Sequence, residues 1–444
     1  MATIIERYRD KFRKSGEMFE RGTSLIPGGG HQSRTVYPHP VYVERGEGGL
    51  KYDVDGNELV DHMLGYGALI LGNAHPKVTK AVGDKLAEGT HMGSATPLEL
   101  RWAELVKDLV PSAERVRFTS SGTESTLLAF RLARAHTGKR KVVKFREHFH
   151  GWHDYVSPES GINTQSGIPE ETLSSVIVLE PRIQDLEQLL DRDRDIAAVI
   201  LEPTGGHWGQ FPLANPSFLQ SVRDVTASHG VVMIMDEVIT MFRMSRGGAQ
   251  GRFAVTLDLT TMAKIVAGEL PGGSVAGKAE IIDLLGMADA PNHVAHPGTF
   301  NGNPLSASAG IAALETIATE PINERADAMA DRLKLGLRDA LSKQEVTGHV
   351  HGIASIVHVV LGVECDCGGD ICTLPHSEIA RATGGQGQYG GLSAPLKLAM
   401  LNEGVDMMGG IGFMVAASHR EEDIDTSAEA FERSLVALRA EGYV

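Results

Sequence analysis

A chain of 444 residues exceeds the size at which a single hydrophobic core stops growing, so more than one domain is expected. Apolar residues make up 42% and charged residues 22% of the chain, a balance that excludes a disordered or fibrous protein. The formal net charge of -15 argues against nucleic acid or an anionic membrane surface as a partner.

The sequence also predicts a location. The first residues carry charge throughout and lack a continuous apolar segment, so no secretory signal is predicted. No stretch reaches the roughly 18 consecutive apolar residues of a membrane span. Three cysteines in so long a chain argue against a disulfide framework, and we therefore expect a cytoplasmic protein.

The N-terminal region combines a helix with extended segments. Residues 4–20 have the pattern of a charged helix, which Pro27 and the glycines after it end. Residues 41–63 contain short β-branched runs separated by Asp55 and Gly56, a hairpin signal. A small antiparallel sheet is expected here.

From about residue 98, helical segments alternate with short apolar runs, which is typical of an α/β domain built on a mostly parallel sheet. Five runs have the composition of strands buried on both faces: residues 115–120, 141–145, 196–203, 231–238 and 259–264. Asn215 and Pro216 supply the cap and first turn of a crossover helix, which ends before Gly230.

The C-terminal region predicts a second, smaller α/β unit. After a helix over 305–317, the pattern predicts a charged helix near 323–342, a strand over 353–362, a Gly-rich stretch over 362–392, a helix from about 394, a strand over 412–418 and a terminal helix. We expect a large domain at residues 65–320 and a small domain formed by residues 321–444 together with residues 1–64.

The first group of chemically suggestive residues follows the run 115–120. Ser120, Ser121, Gly122 and Thr123 lie where a strand ends and a helix begins. Unpaired N–H groups at a helix N-terminus, two hydroxyls and a glycine that permits close approach suit a phosphate. The same residues with Glu124 also suit a purely structural capping box, so both interpretations stay open.

Two carboxylates, Glu202 and Asp236, follow apolar strand runs. Ligand sites of α/β sheets open at the carboxyl ends of strands. A carboxylate there needs water, a hydrogen bond or a cation, and a pyridinium N–H would be such a partner. A cap or a salt bridge at the strand end is the structural alternative.

Lys264 ends the apolar run 259–264. Desolvation at such a position lowers the pKa of a lysine and gives the neutral amine that forms imines and moves protons. Lys278 is a rival, but it lies among polar residues and has the pattern of an exposed lysine at a helix start. We therefore expect Lys264 to be the reactive amine.

Six motifs in a fixed order carry a resemblance to a known family: SSGTES, HFHGWHD, ILEP, MDEV, DLTTMAK and HPGTFNGNP. The chain resembles the class III aminotransferases, enzymes of fold type I that depend on pyridoxal 5'-phosphate (PLP), over nearly its whole length. Within that class it is similar to the glutamate-1-semialdehyde aminomutase branch and most similar to D-phenylglycine aminotransferases. The resemblance implies a large domain with a mostly parallel seven-stranded sheet, and a homodimer with active sites at the subunit interface.

The resemblance also implies roles for individual residues. Ser121, Gly122 and Thr123 would hold the PLP phosphate, Asp236 would pair with the pyridine nitrogen, and Lys264 would form the Schiff base and carry the proton. Phe149 and Val238 would lie on opposite faces of the ring, His150 would lie in the loop beside it, and Glu202 would set the surrounding hydrogen bonds. Thr299 would reach the phosphate bound by the neighbouring subunit.

Three residues are candidates for contacts with substrate. Arg34 and Tyr66 align by context with pocket positions of the aminomutase branch, and Arg34 either binds a substrate carboxylate or is an ordinary surface arginine. Trp208 either forms an aromatic wall or is structural. The segment 157–171 is shorter than the Gly- and Ser-rich lid of the aminomutases, which favours transfer between two substrates.

Two further groups contain potential metal ligands. His148, His150 and His153 lack an accompanying cysteine or carboxylate pattern, so a loop beside the cofactor is favoured over zinc. Cys365, Cys367 and Cys372 have an unusual spacing without an evident fourth ligand, so a polar loop is favoured over a structural metal. No metal is predicted.

The main functional prediction is a ping-pong transamination, in which an amino acid such as the aromatic D-phenylglycine gives its amino group to a keto acid such as 2-oxoglutarate. The alternative is a glutamate-1-semialdehyde 2,1-aminomutase, which moves the amino group within one substrate. A metal-dependent hydrolase that uses the histidine group is a third interpretation.

Overall fold

The computed structural model describes residues 2–30, 37–159, 165–204, 216–286, 289, 291–365, 371–372, 374, 391–409 and 411–444. These residues divide into two compact units. The terminal unit contains the residues up to His75 and those from Glu324 onwards, and the central unit contains those from Pro76 to Asn323.

The helices of the described residues follow in chain order: α1 (Ile4–Lys11), α2 (Arg13–Thr23), α3 (Leu64–Gly67), α4 (Pro76–Glu88), α5 (Pro97–Leu109), α6 (Gly122–Thr137), α7 (Glu170–Leu173), α8 (Ile183–Arg192), α9 (Pro216–Ser228), α10 (Gly248–Phe253), α11 (Ala279–Ile282), α12 (Pro304–Thr319), α13 (Ile322–Lys343), α14 (Ser393–Asn402) and α15 (Glu421–Ala440). Among them, none is both long enough and apolar enough to cross a bilayer.

The strands are β1 (Val43–Glu47), β2 (Leu50–Asp53), β3 (Glu58–Asp61), β4 (Arg115–Thr119), β5 (Lys141–Phe145), β6 (Val176–Leu179), β7 (Ile196–Leu201), β8 (Val232–Asp236), β9 (Leu259–Ala263), β10 (Gly273–Gly277), β11 (Gly348–Ile353), β12 (Ile356–Leu361), β13 (Val405–Asp406) and β14 (Gly412–Met414).

The central unit is built on one seven-stranded sheet with the order β4-β10-β9-β8-β7-β5-β6. The pairs from β9 to β6 are parallel, and β10 runs antiparallel to both of its neighbours, β4 and β9. Strand β4 therefore runs in the same direction as the five parallel strands. The predicted α/β class and the mostly parallel seven-stranded sheet of fold type I are confirmed.

The middle of this sheet is apolar and is buried on both of its faces. Every residue of β7 and β8 is buried, as the continuous apolar runs of these strands predict. One side of the core includes Leu128 and Phe130 of α6, packed with residues such as Ile200 and Ile234. This packing fixes the strand ends relative to the N-terminus of α6.

The terminal unit contains two smaller sheets. The first has the order β1-β2-β3-β13 and the second has the order β11-β12-β14. Helices α1, α13, α14 and α15 contribute to an apolar core with β11 and β12. Alternate residues of β12, such as Val357 and Val359, enter this core.

Several elements differ from the sequence-based expectations. The helix expected over 4–20 is two helices, because the backbone leaves helical geometry at Phe12, which has φ -113° and ψ 46°. The strand expected over 353–362 is the second arm of a hairpin, β11 with β12. Strands β6 and β10 were not expected. Helix α9 begins at Pro216 as predicted and ends before Gly230.

Candidate active site

The predicted site residues of the central unit gather at one edge of the sheet. Strands β4, β5, β7, β8 and β9 run in the same direction, so their carboxyl ends lie at this edge. Ser120 follows β4, Glu202 follows β7, Asp236 ends β8 and Lys264 follows β9. Carboxyl ends of parallel strands are where open α/β sheets bind their ligands.

The N-terminus of α6 is one wall of the site. The Ser121 side chain caps this helix by accepting a hydrogen bond from Glu124 N over 3.2 Å, and the Glu124 side chain accepts from Ser120 N over 2.7 Å. Ser121 is therefore a helix cap, but the reciprocal bond of a capping box is not formed, because Glu124 accepts from Ser120 N and not from the cap residue. The cap does not exclude the phosphate interpretation. Ser121 occupies the N–H of Glu124, whereas the first two N–H groups of the helix, those of Gly122 and Thr123, have no partner within it and remain available to an anion.

Gly122 brings this helix close to the ends of β8 and β9. A Cβ atom built on Gly122 would lie 3.0 Å from Val238 Cγ2 and 3.5 Å from Ala263 Cβ. Contacts of 3.0 Å are shorter than normal van der Waals packing, so a side chain at this position would displace Val238. On the other side, Gly151 lies against Thr123, because a Cβ on Gly151 would be 2.6 Å from Thr123 Oγ1. The absence of side chains at both positions thus preserves the shape of the wall.

The loop after β5 contributes a buried hydrogen-bond network. His150 Nδ1 lies 2.7 Å from Asp236 Oδ2, and Asp236 Oδ1 accepts from Val238 N over 3.1 Å. Glu202 Oε1 accepts from Phe149 N over 2.6 Å, and Glu202 N donates to His148 Nδ1 over 2.9 Å. The loop is therefore tied to the ends of both β7 and β8.

These contacts give the histidines structural roles. Burial holds the pKa of His148 and His150 below the usual value, so both imidazoles are neutral. His148 accepts a backbone hydrogen bond, and His150 donates one to Asp236. His153 Nε2 lies 3.2 Å from Thr126 Oγ1. The loop interpretation of this histidine group agrees with these contacts.

Lys264 lies where the sequence places it, directly after β9. Burial lowers its pKa to about 8, while the nearby carboxylates of Asp236 and Glu202 act in the opposite direction. Its backbone is in the left-handed region, with φ 58°, which is a strained conformation for a lysine. Both features are typical of a lysine selected for chemistry.

Lys278, the rival lysine, has a different environment. It is partly exposed, and its Nζ lies 2.8 Å from Asp258 Oδ1. This contact is an ordinary ion pair at the start of α11. The structure therefore separates the two lysines as the sequence predicted.

Two residues near the site were not identified from the sequence. Arg243 is fully buried, and its charge is one of the causes that lower the Lys264 pKa. Lys144, in the middle of β5, is also fully buried and donates hydrogen bonds to the carbonyls of Val156 and Pro158. Arg243 follows the MDEV motif by only a few residues, but nothing in its local sequence indicates burial.

Thr299 belongs to a segment that reaches the end of β4, because Ser120 Oγ lies 3.2 Å from Asn301 Oδ1. Thr299 is exposed, and its carbonyl accepts a hydrogen bond from His91. With His91, Met92 and Asn301 it lines a cavity of about 610 Å³. Within one chain, Thr299 therefore belongs to this cavity.

Of the three predicted substrate residues, Tyr66 alone is among the described residues. Arg34 and Trp208 lie outside the described residues. Tyr66 belongs to the terminal unit, in the short helical segment α3, where it has φ 58°. Its side chain is partly buried.

Comparison with known proteins identifies the family to which the chain belongs. Residues 31–366 match the family model described as aminotransferase class-III, which is well over half of the chain. The chain belongs to the class III aminotransferases. The family, the enzyme class and the dependence on PLP that the motifs predicted are thereby confirmed.

Individual relatives are similar over most of their length. A glutamate-1-semialdehyde 2,1-aminomutase of Methanopyrus kandleri is 36% identical over 97% of this chain and 99% of its own. The corresponding enzyme of Sulfolobus acidocaldarius is 42% identical over 74% of this chain and 79% of its own.

Solved structures agree with the family assignment. An omega-transaminase from Sphaerobacter thermophilus has a TM-score of 0.88 at 31% identity and covers 97% of this chain and 99% of its own. A transaminase with PLP bound has a TM-score of 0.86 at 30% identity and covers 98% of this chain and 99% of its own.

Proposed function

We propose that this chain transfers amino groups with PLP bound at the carboxyl-end edge of the central sheet. The convergence of Lys264, Asp236 and the N-terminus of α6 at this edge carries the proposal. When bound, PLP acts as an electron sink for the carbon that bears the amino group.

The residues at this edge fit the cofactor in charge and in space. The N-terminus of α6 offers N–H groups to a phosphate, and Gly122 leaves the space that a side chain would take from Val238. Asp236 offers a carboxylate to a pyridine nitrogen, and His150 holds that carboxylate in position. We assign the phosphate to Ser121, Gly122 and Thr123, the nitrogen to Asp236, the ring faces to Phe149 and Val238, and the supporting hydrogen bonds to His150 and Glu202.

Lys264 performs two tasks in this proposal. Its amine would hold the cofactor at the cofactor's carbonyl group, and a pKa of about 8 means that an appreciable fraction of the amine is neutral near pH 7. The same neutral amine would take a proton from the substrate carbon that bears the amino group, and the resulting ammonium would give that proton back to a carbon of the reacting system. Both tasks require an amine that changes protonation state close to the working pH.

For the substrate, the first candidate is glutamate-1-semialdehyde, converted by intramolecular amino transfer. The support is the two aminomutases at 36% and 42% identity, one of them aligned over nearly the full length of both chains. These relatives favour the alternative over the transamination that was the main prediction from the sequence.

Transfer between two substrates is the second candidate. It is favoured by the omega-transaminase at 31% identity and by the short segment 157–171, although residues 160–164 of that segment lie outside the described residues. In this second reaction, an aromatic D-amino acid such as D-phenylglycine donates the amino group and 2-oxoglutarate accepts it.

One experiment separates the two candidates. Purified, PLP-loaded enzyme is incubated with glutamate-1-semialdehyde alone, or with D-phenylglycine and 2-oxoglutarate. An aminomutase forms 5-amino-4-oxopentanoate without any keto acid, whereas a transaminase forms glutamate only in the second mixture. Lack of product in both mixtures rejects both substrate assignments, and a Lys264→Ala variant provides the blank.

The substrate contacts are proposed for Arg34, Tyr66 and Trp208. An arginine can bind a carboxylate through two parallel hydrogen bonds, which a lysine cannot reproduce. Arg34→Lys is therefore expected to raise the KM for a carboxylate substrate by about tenfold or more, at unchanged PLP affinity. An unchanged KM would assign Arg34 to the surface.

We also propose a homodimer in which Thr299 completes the site of the neighbouring subunit. Thr299 is exposed in a single chain, and the exposed apolar side chains Leu100, Met92 and Phe300 lie in or beside the same cavity region. Apolar exposure of this kind marks a surface that another chain covers.

Subunit mixing tests the dimer. Lys264→Ala and Thr299→Ala chains each form weakly active dimers, but a mixed dimer has one site with neither change. Random exchange should therefore restore about a quarter of the wild-type activity, as expected for a twofold dimer with shared sites. If mixing restores nothing although exchange is demonstrated, Thr299 does not act across the interface.

A further inference from the structure

Three histidines lie on one face of the sheet β11-β12-β14 in the terminal unit. His349 and His351 alternate with Val350 along β11, and His351 pairs directly with His358 of β12. Val350 belongs to the apolar core, so the histidines point to the opposite face of the sheet. All three imidazoles are nevertheless buried.

Cys372 approaches this face from the segment that follows β12. It is buried and packs against Val360, the direct partner of His349 in the β11-β12 pair. One ligand atom each of His349, His351 and Cys372 lies within 4.8 Å of the other two. In a tetrahedral zinc site the corresponding distances are about 3.3–3.8 Å, given zinc–nitrogen bonds of about 2.0–2.1 Å and zinc–sulfur bonds of about 2.3 Å. Shifts of about 1 Å would therefore complete the geometry.

The hydrogen bonding of His349 suits a metal ligand. Its Nδ1 lies 2.9 Å from the carbonyl oxygen of Val363, and this contact fixes Nδ1 as the donor. Nε2 is then the nitrogen with the lone pair, and it has no hydrogen-bond partner among the described residues. An outer hydrogen bond from one ring nitrogen to a backbone carbonyl is the arrangement that orients metal-binding histidines.

Two buried imidazoles of this face, His349 and His358, each have a ring nitrogen without a hydrogen bond among the described residues, which is costly unless something binds there. The Nδ1 atom of His358, beside His351, likewise has no partner among the described residues. A buried polar atom without a hydrogen bond costs about 1–3 kcal/mol, so such groups are rare unless a water or an ion satisfies them.

We propose that His349, His351 and Cys372 bind a zinc ion. Two imidazoles and one thiolate are a ligand set that zinc prefers over harder cations such as magnesium or calcium. Cys365, which packs against the same small cluster, or a water molecule supplies the fourth ligand. On binding, the Cys372 thiol loses its proton to solvent, and the ion joins the segment after β12 to β11.

The ion can reach this position from solvent. A cavity of about 710 Å³ is lined by His349 and Cys365 together with Glu345 and Glu364. Both carboxylates are exposed, and together they outweigh the single positive charge of Arg338, which also lines the cavity, so the net charge favours the entry of a cation. This zinc site lies within the terminal unit and is independent of PLP binding in the central unit.

The test measures metal in the full-length, PLP-loaded enzyme. After incubation with zinc chloride and desalting, elemental analysis is expected to give about one zinc per chain. Cobalt in place of zinc is expected to give the charge-transfer absorption of a cobalt–thiolate bond. A strong chelator should remove the metal and lower the Tm by a few degrees.

Matched variants separate binding from misfolding. Cys372→Ser and His349→Gln should lose zinc and the cobalt–thiolate band, and their Tm should equal that of the chelated wild type. His136→Gln, at an exposed histidine of α6, and Lys264→Ala should keep the metal. The proposal is overturned if the wild type retains no zinc, if both variants retain it, or if peptide mapping finds Cys372 in a disulfide.

Discussion

His150 and Asp236 form a buried hydrogen bond at the end of β8, with His150 Nδ1 lying 2.7 Å from Asp236 Oδ2. Burial keeps the imidazole neutral, so Nδ1 carries its proton towards the carboxylate. The other ring nitrogen, Nε2, has no partner among the described residues. The imidazole is therefore a positioning group whose main contact is Asp236.

Loss of this contact should weaken cofactor binding. A hydrogen bond to a charged group contributes about 1.5–3 kcal/mol, so His150→Ala is expected to reduce PLP affinity by roughly 10- to 100-fold. His150→Asn keeps a donor and should recover part of the loss. Spectroscopic titration of the apoenzyme with PLP measures both. Equal affinity in the wild type and His150→Ala would assign no positioning role to His150.

Lys264 and Lys278 offer a matched pair of substitutions. Lys264→Ala removes the group proposed for proton transfer and should reduce kcat by about 100- to 10,000-fold. Lys278→Ala removes only a partly exposed ion pair with Asp258 and should leave kcat within about twofold. Borohydride treatment followed by peptide mapping should place PLP on Lys264 alone. An adduct on another lysine would contradict the assignment.

The Lys264 pKa also predicts a pH dependence. With a pKa of about 8, the amine is protonated below that pH and neutral above it, so the rate of PLP incorporation into the apoenzyme should rise through about pH 8. Glu202 favours the protonated amine, so Glu202→Gln should move the midpoint to lower pH. A midpoint near the ordinary lysine value of about 10.4 would show that Lys264 is not desolvated.

The sequence alone could predict which residues lie at one edge of the sheet. Lys264, Asp236 and Ser121 lie at or directly after the ends of predicted strands, and parallel strands bring such positions to one edge without further information. Thr299 and Tyr66 were assigned by resemblance alone, because no local pattern places a loop residue relative to a distant sheet. Arg243 was missed since its burial depends on packing that local composition does not encode.

Strands β10 and β11 could not be predicted from the pattern of their own residues. The β10 sequence, Gly-Ser-Val-Ala-Gly, has weak strand propensity and is a strand because it fits between β4 and β9. The glycines and histidines of β11 similarly give no strand signal, although this strand pairs along its whole length with β12. Both segments are strands because they pair with other strands, so the strand propensity of their own residues does not predict them.

The terminal unit contains a buried charge network on which its stability should depend. Asp406 contacts both Lys51 and Lys397, and Lys51 Nζ also lies 3.3 Å from Asp61 Oδ1. Burial alone would raise the pKa of Asp406, but the two lysine charges outweigh it and hold that pKa at about 2. The carboxylate is thus ionised because the positive charges of Lys51 and Lys397 stabilise its negative charge.

Asp406→Asn should therefore be strongly destabilising. It leaves Lys51 and Lys397 close together and only partly neutralised, and removing one partner of a buried ion pair costs about 3–5 kcal/mol. Asp425→Asn, which breaks an exposed pair with Arg332, should cost about 1 kcal/mol or less. Because the Asp406 pKa is lower in the folded than in the unfolded chain, its contribution is complete above about pH 4 and is lost as the pH falls towards about 2. Denaturant unfolding of both variants at pH 7 measures the difference, and similar losses of stability would mean that the lysines relax to solvent when Asp406 is replaced.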